Sequence, residues 1–241
     1  MTARRVVSLV PSVTETLWAL DAAPIAGTRF CEQPDLLAVG GTKDPDVAAI
    51  IALAPDAVVM NDEENRREDC EALRAAGLEV VDVSPRTLAD VGEVVVRLAR
   101  LTGRAVPAPF GDWPGWLAAH VTSSPTRSAV TMVWRRPWMA LGADTYGASL
   151  LAAVGYATPA FADPHGTVAP RYPEVTLDAV CAREPEAVLL PSEPYPFAQR
   201  HRPEVVAAVP RAVVALVDGQ DLFWWGIRTP EALTRLAARL E

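Results

Sequence analysis

Cysteine is scarce in this chain, and histidine equally so: three of each occur among 241 residues. Cys31, Cys70 and Cys181 are odd in number and widely spaced. That pattern excludes a legible disulfide framework or zinc motif and leaves free thiols, buried or half-buried. His120, His165 and His201 share no metal-ligand spacing. Only His165, in the segment 162–173, is considered as a metal ligand, beside the plainer reading of a loop histidine. No GxSxG, Walker A or GxGxxG signature is present, so the common hydrolase, nucleotide and dinucleotide chemistries lack their marks. A basic excess is missing too: 22 Lys and Arg stand against 30 Asp and Glu, for a net charge of −8. That balance argues against a nucleic-acid partner. No apolar run approaches the length of a transmembrane segment. Arg4 and Arg5 precede only a short apolar stretch that stops at Pro11, which is not a secretory leader. As given, the chain is expected to be cytoplasmic; an upstream leader, removed, would make it periplasmic or otherwise extracytoplasmic.

What is present is a globular composition, 50% hydrophobic and 22% charged, long enough for two lobes. The strand-like runs at 5–10, 57–60 and 78–84 alternate with helical patterns. Ser12 and Glu15 have the spacing of a capping box, opening a helix to about Leu20. Asp44 reads as the cap of a second helix, with Pro45 in its first turn. Helices follow at about 66–76 and 87–101. Composition then shifts: 105–116 holds three prolines and two glycines. Beyond it the alternation resumes, with strands at 128–133, 187–190 and 211–217. Helices capped by Asp144 and Thr176 lie among them, and one opening at Thr229-Pro230 closes the chain. Strand–helix alternation predicts parallel sheets flanked by helices.

The second half echoes the first. Residues 47–65 align with 177–195 at an offset of 130, matching Pro55 to Pro185, Ala57-Val58 to Ala187-Val188 and Glu63 to Glu193. Two like halves imply two lobes facing one cleft. In open α/β sheets, ligands lie beyond the carboxyl ends of the strands. Five such ends are readable, after Val10, Met60, Val133, Leu190 and Val217. Ser12 and Thr14 follow the first, at a helix start with free N–H groups; Ser12 reads as a cap, a ligand contact or both. Asn61 and Glu63 follow the second, as cleft-lining groups or a solvated acidic helix start. Trp134, Arg135, Arg136 and Trp138 follow the third, two aromatics of large contact area bracketing two cations able to hold a carboxylate or phosphate, as ligand contacts or as plain packing. Glu193 and Tyr195 sit in the proline-stiffened fourth end. The fifth leads into Phe223, Trp224 and Trp225, which cannot all enter one core.

Several of these segments are similar to the cobalamin- and siderophore-type substrate-binding proteins of ABC importers, the helical-backbone metal receptors or class III binding proteins. The similarity rests on 5–20, 40–69, 77–87, 134–155, 171–180, 187–197 and the aromatic stretch before Thr229-Pro230. It implies an α/β fold of two Rossmann-like lobes with mainly parallel sheets, joined by a single bridging helix. The expected division is 1–103, a bridge over 104–125 kinked near Pro114 and Gly115, and 126–241. The implied function is binding, not catalysis. The ligand is a bulky small molecule, a corrinoid, haem or siderophore carrying its own cobalt or iron, with no intrinsic cofactor. The implied partners are the membrane subunits of an ABC importer, and the protein is expected to be a monomer. Candidate contacts then also include Phe30, Lys43, Arg171 and Tyr172. Two other readings stand beside it: a cytoplasmic carrier or sensor on the same fold, and a chelatase-like enzyme.

Overall fold

The structure, a computed structural model, describes residues 4–121, 124–161 and 170–240. The chain divides into two compact α/β units. The first comprises the chain up to Pro85, then Ala89–Trp116 and Trp225–Ile227; the second comprises Arg86–Leu88, Leu117–Trp224 and Arg228 onward. The main crossing therefore falls inside one helix, between Trp116 and Leu117.

In the first unit, β1 (Val6–Ser8) enters α1 (Pro11–Ala19), then α2 (Val47–Ala52), β2 (Ala57–Met60), α3 (Arg67–Ala75), β3 (Val80–Asp82) and α4 (Val91–Thr102). The strands form a parallel sheet in the order β1-β2-β3, with Val7 beside Val58 and Val58 beside Val80. Every residue of β1 and β2 is buried, Ser8 included, as expected for parallel strands covered on both faces. Val7, Leu9, Ile50, Val58, Met60 and Leu73 make the core between sheet and helices. α5 (Trp113–His120) begins in this unit, with Trp113 stacked between Phe110 and Trp116 at centroid distances of 5.0 and 4.9 Å.

In the second unit, β4 (Arg127–Trp134), β5 (Met139–Ala140), α6 (Tyr146–Ala153), β6 (Tyr156–Ala157), α7 (Leu177–Cys181), β7 (Ala187–Pro191), α8 (Arg202–Ala208), β8 (Val213–Val217), α9 (Gly219–Phe223) and α10 (Thr229–Leu240) follow. The sheet order is β5-β4-β7-β8, with β6 also beside β4; only β5 is antiparallel. Its core includes Val130, Met132, Val180, Val188, Leu190 and Val205. The fold class expected from the sequence, α/β with mainly parallel sheets in two Rossmann-like parts, is the one found.

The echo is structural as well. Asp46 and Thr176, 130 apart, both cap helices, accepting from Ala49 N at 2.9 Å and Ala179 N at 3.0 Å. Such a cap stabilises a helix by about 1 kcal/mol. Both helices end at a left-handed residue, Ala54 (φ 45°) and Glu184 (φ 46°), again 130 apart. Both strands then start at equivalent positions, Ala57 and Ala187.

Three expected caps are corrected. Pro11 lacks an N–H and takes the first helical position, so Val10, in extended conformation, is the cap of α1 and Ser12 lies inside the helix without a capping bond. Asp44 and Pro45 belong to a tight turn closed by Gly41 N on Asp44 O, so α2 starts later, at Asp46. Thr145, one residue after Asp144, caps α6.

Candidate functional site

The strand ends of the first unit are held by amides. Asn61 at the end of β2 donates to Val83 O at 3.1 Å, and its Oδ1 accepts from Glu63 N and Glu64 N. Asn65 donates to Leu9 O and Thr42 O, both at 3.0 Å, and accepts from Asn61 N. Both side chains are buried, so these bonds form in low dielectric and tie the ends of β1, β2 and β3 together. Lys43 Nζ adds a 2.6 Å bond to Glu63 O. Asn61, Lys43 and Glu63 are thus brought together, with the Asn61 amide engaged inside the unit. Thr14, buried, donates to Val10 O and accepts from the Cys31 thiol. The Ser12 hydroxyl is buried with no hydrogen-bond partner among the described residues, an orphan at the start of α1 that a ligand acceptor or ordered water would complete. Phe30 is 51% exposed beneath the guanidinium of Arg29. A hollow of about 260 Å³ opens beyond β2 and β3, lined by Asn61, Asp62, Arg66, Arg67, Cys70 and Arg74 among others.

The second unit places rings at its strand ends. Trp134, the last residue of β4, is 43% exposed and meets Tyr195 edge-on at 5.6 Å. Tyr195 lies 4.7 Å from Phe197, which stacks parallel to Trp138 at 6.0 Å. His201 packs edge-on against Tyr195 and Phe197. Offset and edge-to-face pairs of this kind add roughly 0.5–1.5 kcal/mol each beyond burial. Arg135 gives two bonds to Glu204 Oε2, at 3.1 and 2.8 Å, and its guanidinium lies 5.7 Å from the Trp138 centroid. Arg136 is exposed, left-handed (φ 69°), and without a partner among the described residues.

His201 Nδ1 accepts from Ala198 N at 3.0 Å, which puts the proton of the neutral ring on Nε2, facing the Tyr195 hydroxyl at 3.5 Å. Burial first, then Arg200 and Arg135, hold its pKa below the ordinary value.

Of the remaining candidates, Glu193 is half-buried against Gly219. Arg171 is half-buried, its carbonyl accepting from Gly142 N, and Tyr172 beside it is exposed. Trp224 and Trp225 are both buried, which resolves the crowding of three adjacent aromatics: Trp224 packs in the second unit under Arg228, while Trp225 belongs to the first. His165 lies outside the described residues. His201 and Glu204 were not among the sequence candidates. Nothing local marks them, since they reach the site through the turn before α8 and the first turn of α8, which follow β7 and its loop. Among the described residues, no group of three His, Cys, Asp or Glu side chains could hold a metal ion. No helix described is long and apolar enough to cross a membrane.

No family model matches the chain, and no curated protein does. Solved structures do. The periplasmic vitamin B12-binding protein BtuF of Vibrio cholerae superposes with a TM-score of 0.79 at 20% identity, over 99% of this chain and 96% of that one. The periplasmic haem-binding protein BhuT, in complex with two haems, gives 0.76 at 20% identity over 99% and 98%. A periplasmic haem-binding protein from Pseudomonas aeruginosa gives 0.76 at 21% over 98% and 92%. At such identities the likeness is one of fold.

Proposed function

We propose that this chain is a substrate-binding protein that captures a bulky, ring-containing or metal-chelate ligand, of the corrinoid, haem or siderophore kind, for ABC-type uptake. The observation that carries the reading is the aromatic cluster at the ends of β4 and β7, with Trp134 left exposed on a bed formed by Tyr195, Phe197 and Trp138. A rigid ring surface offers large contact area with few torsions to freeze, which suits a flat, bulky ligand. The fold shared with proteins that bind vitamin B12 and haem supports the same class. Because those proteins are periplasmic, the reading carries an extracytoplasmic location and an importer partner with it.

Binding rather than catalysis is supported by how the one histidine of the cluster is used. The His201 ring is engaged by Ala198 N and Tyr195, and Glu204, the carboxylate that acts on it electrostatically, is engaged by Arg135. A general base oriented by a carboxylate is a different arrangement. Absorbance and tryptophan-fluorescence titrations with cobalamin, haemin and ferric siderophores test the proposal. One of them binds at micromolar or lower concentration, and Trp134→Ala weakens it at least tenfold, about 1.4 kcal/mol. Absence of binding to all three refutes it.

A further inference from the structure

We propose that the two adjacent arginines of the β4–β5 turn divide their labour: Arg135 is a positioning residue, and Arg136 is the anchor for an anionic group on the ligand. This inference deepens the proposed function and rests on it. Residues 134–138 place an exposed ring, two guanidiniums and a second ring within one turn. Composition alone makes both cations equal candidates for a ligand carboxylate.

The structure separates them. Arg135 is bound through Nε and Nη2 to Glu204 of α8, with its side chain 18% exposed. The same guanidinium approaches Trp138. It therefore braces the turn against α8 and sets the ring bed. The Nε–Nη2 edge of Arg135 is taken by Glu204, whose negative charge offsets the guanidinium and would oppose a ligand anion drawn to its remaining donors. Arg136 carries no such obligation. It is exposed, it has no internal partner among the described residues, and it stands two residues from the exposed Trp134 ring. A guanidinium takes a carboxylate or phosphate through two parallel N–H donors, and such a bond strengthens when an apolar ligand body shields it from water. The ligand class that fits is a flat, apolar ring system bearing at least one peripheral carboxylate or phosphate. The ring lies on Trp134 and the anion on Arg136.

Haemin and haemin dimethyl ester are the discriminating probes, since they share the ring and differ in carboxylate charge. Both are titrated into the full chain by Soret absorbance, with cobalamin alongside. The expected result is that haemin binds the unaltered protein at least tenfold more tightly than its ester. Arg136→Gln lowers haemin affinity about tenfold and leaves the ester unchanged, while Arg136→Lys keeps part of the difference. Far-UV circular dichroism checks that each variant is folded. Equal affinity for haemin and ester, binding of cobalamin alone, or haemin affinity indifferent to Arg136→Gln overturns the inference and leaves the proposed function standing. Failure of the unaltered protein to bind haemin, cobalamin or a ferric siderophore overturns both.

Discussion

Replacing Gly226 with alanine tests how the three-residue segment Trp225–Ile227 is held in the first unit. Gly226 has φ 115°, which an L side chain rarely adopts. A Cβ there would also collide with Thr16 Oγ1, although Thr16 Cβ itself is 3.5 Å away. That hydroxyl is in use: it donates to Ser12 O at 2.9 Å and accepts from Ile227 N at 3.2 Å. Two costs therefore add. The left-handed backbone costs about 1–2 kcal/mol. Displacing a buried hydroxyl from two bonds costs about 1–3 kcal/mol more. The expected loss for Gly226→Ala is about 2–5 kcal/mol.

Gly77→Ala is the control. Gly77 has φ 82° but nothing within 4 Å of the added methyl, so it carries the backbone cost alone, about 1 kcal/mol. A double-mutant cycle completes the test. In Thr16→Ala the colliding oxygen is gone, and Gly226→Ala should cost about as much as Gly77→Ala. Urea unfolding followed by tryptophan fluorescence and far-UV circular dichroism measures all of these, using the transition both probes share. A Gly226→Ala cost no larger than that of Gly77→Ala, or one undiminished in the Thr16→Ala background, refutes the reasoning.

Other perturbations have defined outcomes. Ala54→Gly relieves a left-handed alanine at an exposed helix end and should raise stability by roughly 0.5–1 kcal/mol in urea unfolding. Glu184→Gly should act in the same direction, since its ion pair with Arg211 is exposed on both sides and contributes little. Asp221, 4% exposed, holds Arg235 through two bonds of 2.7 and 2.6 Å and lies 3.7 Å from Arg228. Asp221→Asn should cost about 2–3 kcal/mol, less than a fully buried pair because Arg235 is half-exposed. His201 binds its proton less readily folded than unfolded, so its contribution to stability is present above the unfolded value near 6.5 and is lost as pH falls. Denaturation between pH 7.5 and 5 should show this decline, and it should shrink in His201→Phe.

Much of this was legible in the sequence because it is local. Strands β1, β2, β4 and β7 are short runs rich in Val, Leu and Ala, bounded by Pro or polar residues, and they lie where those runs lie. The echo at offset 130 also survives in detail, because cap, left-handed residue, proline and strand start are fixed within a dozen residues. Misplaced boundaries came from competing local signals. At α1, the Ser12–Glu15 spacing fits a capping box, but Pro11 supplies its own start. At α2, Asp44-Pro45 fits a cap and first turn, but the 40–45 turn uses them first. The long-range facts were out of reach. The partition of Trp224 and Trp225 between two units depends on the last returning segment, and the engagement of Arg135 depends on Glu204, 69 residues away.

The duplicated scaffold bears on where ligand chemistry resides. Up to the last strand residue the two halves match: helix caps 130 apart, strands 130 apart, parallel neighbours in the same sense. They diverge immediately after it. In the first unit, Asn61 and Asn65 turn inward and satisfy backbone groups of three strand ends and of Thr42. In the second, the equivalent stretch is Pro191 to Tyr195: its two prolines offer no N–H, Ser192 Oγ accepts from Gly219 N at 2.9 Å, and it ends at the Tyr195 ring of the aromatic cluster. Asn61 and Asn65, committed inward, have little to give a ligand, whereas Trp134 and Tyr195 at the second unit's strand ends keep their ring contact area. Under the proposed function, ring recognition belongs to the second unit. Trp134→Ala should abolish most affinity for haemin or cobalamin, whereas Asn61→Ala should lower stability and leave the affinity of the folded fraction nearly unchanged. Paired unfolding and titration data on the two variants decide it, and a large affinity loss in folded Asn61→Ala would show that the first unit also reads the ligand.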